Sequence, residues 1–190
     1  MKGGTSNPTD MLKGLVGDKS QSYPDATRRP RLLADLDMRI AADGTWYYQG
    51  TPINRMPLVK LFAAVLRRED DGEYWLVTPA ERGRVVVEDA PFTAVEVTSS
   101  GRGAGQRLIF RTNLDEIVAL DEAHPLQCRG TGEAPRPYIL VRDRLEARIL
   151  RSVYYHLVEL GEQQGDRFGV WSSGRFFPMG AALDSPIPAR

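Results

Sequence analysis

Asp43 to Pro79, DGTWYYQGTPINRMPLVKLFAAVLRREDDGEYWLVTP, is the stretch whose reading decides the fold. Asp43-Gly44 supplies the positive backbone angles of a tight turn between Met38-Arg39-Ile40-Ala41 and Thr45-Trp46-Tyr47-Tyr48, and both flanks favour strand. Gly50-Thr51-Pro52 interrupts that pattern. Leu58, Leu61, Phe62, Val65 and Leu66 then recur at the spacing of an amphipathic helix, with Pro57 in its first turn and Asn54 as the expected cap. Asp70-Asp71-Gly72 is expected to stop the helix, after which Glu73 to Val77 return as a strand.

Working outward, 190 residues suffice for one large domain or two small ones. The 25 lysines and arginines balance the 25 aspartates and glutamates. No overall field therefore draws in duplex nucleic acid or an anionic membrane. The single cysteine, Cys128, excludes an internal disulfide framework. The N-terminal apolar residues Met11, Leu12, Leu15 and Val16 are too few and too interrupted for a signal-peptide core. No apolar run approaches the roughly 20 residues that span a bilayer. These features point to a cytoplasmic protein outside the membrane. Residues 1–35, rich in Gly, Ser, Asn and Pro around one short helix over Thr9–Val16, read as an arm. It is either a loosely packed terminus or an exchanged segment gripping a second subunit of a homodimer.

Downstream, Arg84–Glu88, Phe92–Val97, Gln106–Phe110 and Glu116–Leu120 alternate as short strands between turn signals, which predicts an antiparallel meander. Residues 124–137 read as a linker, Tyr138–Val141 as a strand and Arg144–Glu162 as a second amphipathic helix. Phe168–Trp171 and Arg175–Phe177 close as a hairpin over Ser172-Ser173-Gly174. The predicted class is α+β, with two similar repeats, 36–123 and 138–190, each an antiparallel sheet packed against an amphipathic helix. Arg55 and Arg148 near the helix starts, and Trp75 and Trp171 on the following strands, are the matching landmarks. A diverged duplication and a chance likeness of two ordinary units both account for them.

The segments DGTWYYQGTPI-R, LVKLFAAVLRRE, YWLVTPAER, VEDAPF, Thr112-Asn113 and PYILVRDRLEARILR-VYY carry a family likeness. Together they resemble the uncharacterised bacterial family known as domain of unknown function 1285, over Leu36 to Gly180. The resemblance implies an α+β fold of two similar repeats, a cytoplasmic location and at most a regulatory or signalling role. It brings no catalytic residues.

Gly101-x-Gly103-x-Gly105 lacks the following helix that a phosphate-cradling loop needs, so it is expected to be a hairpin loop. His124 and Cys128 stand four apart, but zinc wants a second donor pair and none is present; no metal or cofactor is expected. A Cys128–His156 nucleophile pair is formally available. Ser172 lacks the glycine frame of a nucleophile elbow. Arg144, Arg148, Arg151 and Tyr155 fall at i, i+4, i+7 and i+11 of the second predicted helix, with Arg142 just before it. Guanidiniums and a phenol on one face could clamp a phosphate or carboxylate. Arg55 and Lys60 on the first helix would join them if the repeats pack about a pseudo-twofold. The expected function is a non-enzymatic module binding a small anionic ligand or a partner's acidic segment. The alternatives are a hydrolase or transferase that uses Glu81, Glu88, Asp89 or Glu96 with His124 or Cys128, and an oligomerisation protein with an aromatic patch of Trp46, Tyr47, Tyr48 and Phe177.

Overall fold

A computed structural model describes residues 30–129 and 136–181. The helix expected over Thr9–Val16, and the arm's role, lie outside the described residues. The chain divides into two compact units at Asp89/Ala90. The boundary thus precedes the stretch 124–137 that the composition marked as a linker, and the described part of that stretch includes a strand, Leu126–Arg129. The arm's assigned end at residue 35 is also too late, because the first strand begins at Arg31.

In the first unit, β1 (Arg31–Ile40), β2 (Trp46–Tyr48), β3 (Thr51–Pro52), β4 (Leu66–Arg68), β5 (Tyr74–Val77) and β6 (Glu81–Val87) form one sheet in the order β3-β2-β1-β6-β5-β4. The Asp43-Gly44 turn forms as expected: Gly44 has φ +87°, and Arg39 lies opposite Tyr47 and Ile40 opposite Trp46. Helix α1 (Met56–Val65) joins β3 to β4 and buries Val59, Phe62, Ala63 and Val65. Leu61, expected on the buried stripe, is exposed. Lys60 is the one charged residue in MPLVKLFAAV, so the sequence defines the inward face poorly. Phe62 stacks on Trp46, ring centroids 6.3 Å apart, and Met38, Ile40, Leu66, Leu76 and Val85 complete that core.

Two expectations for this helix are corrected. Its N-cap is Arg55, with no side-chain cap bond, in place of Asn54. It also ends at Val65, five residues before Asp70, because Leu66–Arg68 pairs with Tyr74–Leu76 as a strand and Asp70-Asp71-Gly72 becomes the turn between them.

In the second unit, β7 (Phe92–Ser100), β8 (Arg107–Thr112), β9 (Ile117–Ala119), β10 (Leu126–Arg129), β11 (Arg136–Arg142) and β12 (Leu145–Ile149) form a sheet in the order β10-β11-β12-β7-β8-β9. Counted from its own first strand and read from the other edge, this is the strand order of the first sheet. Each sheet is antiparallel except at its centre, where β1 runs parallel to β6 and β12 to β7. The two similar repeats are therefore 31–87 and 92–149. The equivalence expected between the two helices does not hold, since α1 lies inside the first repeat whereas α2 (Arg151–Glu159) follows the second. The meander expected from Arg84 to Leu120 is split between two sheets, and the central pairs are parallel where antiparallel pairing was expected.

Residues 144–150 depart furthest from expectation. Asp143 and Arg144, at φ +44° and +65°, make a tight turn, and Leu145–Ile149 is a strand between β11 and β7. A smaller third sheet, β13 (Glu162–Gln164), β14 (Arg167–Ser172) and β15 (Arg175–Ala181), contains the expected hairpin with Ser173-Gly174 at its turn. The Gly101–Gly105 loop joins antiparallel β7 and β8, and a Cβ on Gly101 would stand 2.4 Å from the Gly105 carbonyl oxygen. No described helix is long and apolar enough to cross a membrane.

Candidate functional site

The first sheet turns its buried residues toward α1. On its other side, strand alternation places Arg39, Tyr47, Arg84 and Val86. The parallel β1–β6 ladder is interrupted between Leu33, opposite Gly83, and Met38, opposite Val85. Residues 34–37 thus stand against Arg84 alone, and the strands cannot stay in register there. Leu36 folds over Gly83, where a Cβ would approach its Cδ2 to 2.6 Å. The bulge ends at Asp37 (φ +34°), whose carbonyl accepts a hydrogen bond from the Gln49 N–H at 3.0 Å, tying it to the Gln49-Gly50 turn.

A cleft of about 560 Å³ opens at this bulge. Val86 and the buried Leu33, Leu36 and Met38 border it, Arg39, Arg84, Tyr47 and Asp37 supply its polar groups, and Gly50 its rim. Its size and mixed lining fit a small-molecule site. The Arg39 guanidinium lies 4.1 Å from the centre of the Tyr47 ring and donates to Glu88, whose other oxygen accepts the Ala42 N–H at 3.0 Å. The Ala42 N–H and Arg39 together hold the Glu88 carboxyl below the usual carboxylate value. Arg39 is thereby oriented by a ring beneath it and an acid beside it, with further N–H groups of its fork to offer a ligand. Arg84 pairs with Glu73, and that arginine side chain is 61% exposed. Asp37 makes no ion pair or side-chain hydrogen bond among the described residues.

The arginine stripe expected from the sequence is not formed as a helix face. Arg142 closes β11, held by Glu116 at 3.3 Å and lying 5.6 Å from the centre of the Phe92 ring. Arg144 sits in the turn, and Arg148 lies in β12 opposite Tyr138 and Thr93. Only Arg151 and Tyr155 share the helix as expected, and the Arg151 Nε–H donates to the Tyr155 hydroxyl at 2.8 Å. Arg55 and Lys60 are exposed residues of the first unit.

Several of the remaining candidates are engaged in local contacts. His124 is bound at Nδ1 by Asp121, 3.0 Å away, whose carboxylate also caps the backbone there. Burial pushes the Cys128 thiol up, the reverse of what a nucleophile needs. Ser172 is fully buried and donates to the Leu120 carbonyl at 2.6 Å. Glu96 is held by Arg111 at 2.7 Å. Trp46 and Phe177 are buried, which dissolves the aromatic patch considered for oligomerisation. The sequence did not single out Arg39, Arg84 and Asp37, and it named Tyr47 only as part of an aromatic patch. The Asp43-Gly44 register alone pairs Arg39 with Tyr47, so half of the cleft's polar wall was within reach of that turn.

Family comparisons agree with this architecture. Residues 24–90 match the family model "Domain of unknown function (DUF1285), N-terminal domain", and residues 91–179 match "Protein of unknown function (DUF1285), C-terminal domain". A solved DUF1285 family protein from Silicibacter pomeroyi is 41% identical with a TM-score of 0.77, covering 90% of this chain and 94% of its own. Another, from Shewanella baltica, is 31% identical with a TM-score of 0.53, covering 65% of this chain and 91% of its own. No curated protein matches.

Proposed function

We propose a function from the premise that this chain belongs to the bacterial DUF1285 family: it is a non-enzymatic module that binds a small ligand in the β1 bulge cleft. The observation that carries the proposal is the cleft itself, where two guanidiniums, a phenol and the exposed Val86 line about 560 Å³. Guanidiniums bind carboxylate or phosphate oxygens but transfer no proton at physiological pH, so these two arginines suit holding a ligand rather than converting it. Glu88 and Glu73 occupy part of each fork. Exposed pairs of this kind are weak, because solvent screens them, and yield readily to a ligand group. Reversible occupancy without turnover is what a regulatory or signalling component requires. The reading includes a cytoplasmic location, in keeping with the single cysteine.

A second reading has an acidic segment of a protein partner on the same side of the sheet. It is favoured by Val86, 55% exposed and opposite Arg39 in the sheet, and by Leu32, 59% exposed on the same pair of strands.

The test is a thermal-shift screen of the protein against small carboxylates, phosphorylated metabolites and nucleotides, repeated with Arg39→Gln and Arg84→Gln. A ligand at about 100 times its Kd stabilises by about 2.7 kcal/mol and raises the Tm visibly. Hits lost in both variants support the cleft. A flat screen, or hits indifferent to both substitutions, refutes it.

A further inference from the structure

The geometry points to a zwitterion of the α-amino-acid class with an apolar side chain as the ligand of the bulge cleft. This inference rests on the small-ligand reading above and deepens it. Arg39 and Arg84 already carry carboxylates, Glu88 and Glu73, so the positive charge they bring is largely balanced within the protein. Asp37 lines the same cleft and makes no ion pair with a described residue. A plain anion entering here meets an uncompensated carboxylate at close range, which opposes its binding. A ligand that also carries an ammonium turns this repulsion into attraction, while its carboxylate still reaches the arginine forks. Val86, 55% exposed, offers the apolar contact for an aliphatic or aromatic body, with the buried Leu33, Leu36 and Met38 bordering the cleft.

The backbone supports a built site. Asp37 holds a left-handed conformation at φ +34° in the interior of a strand, Gln49 beside it stands at φ +48°, and the two are joined by the 3.0 Å hydrogen bond from the Gln49 N–H. Non-glycine residues held this way are costly and concentrate where a side chain must be aimed. Here the two strained residues fix the position of the one carboxylate in the cleft that no described residue neutralises.

The experiment is calorimetric titration of the full chain with L-leucine, with isocaproate, which lacks only the amino group, and with isopentylamine, which lacks only the carboxylate. Leucine is expected to bind, and each analogue to bind about tenfold more weakly or worse, the loss of one charged hydrogen bond. Asp37→Asn keeps a residue type that tolerates the left-handed conformation. It is expected to bring leucine down to the affinity of isocaproate, with circular dichroism confirming the fold. Isocaproate binding as tightly as leucine, or Asp37→Asn leaving their ratio unchanged, overturns the zwitterion while the ligand-binding reading stands. Absence of binding by all three probes also overturns it. The wider reading falls only if the broader screen is flat as well, or its hits are indifferent to both arginine substitutions.

Discussion

Gly83 is where one missing side chain decides a site. Its hydrogen faces Leu36, which is buried, so the bulge of β1 can lie flat over β6. Gly83→Ala is expected to lose about 1–3 kcal/mol by overpacking, measured by chemical denaturation, and to weaken ligand binding in the cleft with it. Asp143 and Arg144 show the same dependence on a few backbone angles. Both are left-handed without being glycine, so the hairpin they close places an arginine where the usual Asp-Gly turn has its glycine.

At the scale of elements, α1 is fastened by its aromatic contact more than by its ends, because its N-cap lacks a side-chain bond and Leu66 passes directly into strand. Phe62→Ala is expected to cost about 3–5 kcal/mol and to raise amide exchange across β1, β2 and β5. The β14–β15 hairpin is joined to the second sheet by a buried polar contact. Ser172 Oγ accepts the Leu108 N–H at 3.0 Å and donates to Leu120 O at 2.6 Å. Gln106 adds a bond to the Trp171 carbonyl at 2.9 Å. Ser172→Ala leaves the Leu108 N–H buried without a partner and is expected to lose about 1–3 kcal/mol, seen as a lower denaturation midpoint and altered Trp171 fluorescence.

The whole molecule has no net charge at neutral pH, and two particular carboxylates shape its first response to acid. Glu88 in the first unit is held low by the Ala42 N–H and Arg39. In the second unit burial acts against Asp121, yet its hydrogen bonds with His124 bring it below the usual value. Both folded-state values are depressed, so in acid the unfolded chain binds more protons than the folded one. The stability these groups contribute is complete above the ordinary carboxylate value and is lost as pH falls through their lower folded values. The denaturation midpoint is therefore expected to drop as pH falls below the ordinary carboxylate range, and Glu88→Gln to flatten that limb; an unchanged limb in the variant would remove Glu88 from the account.

The sequence alone determined whatever rests on neighbouring residues. The Asp43-Gly44 turn, the helix around Phe62, the glycine loop after β7 and the Ser173-Gly174 hairpin follow from local backbone preference and apolar spacing, and the family likeness follows from the same segments. Tertiary structure decided whatever depends on distant pairing. Leu145-Glu-Ala-Arg-Ile has strong helix formers, yet it is a strand because Ala147 and Ile149 find Phe92 and Ala94, more than fifty residues away, and an alternating face to bury. The arginines that looked like one helix stripe were dispersed by that pairing. The cleft exists because β1 and β6, separated by two strands, a helix and a hairpin, lie parallel and out of step at one bulge. No local pattern encodes such a mismatch, since it is a property of two strands at once.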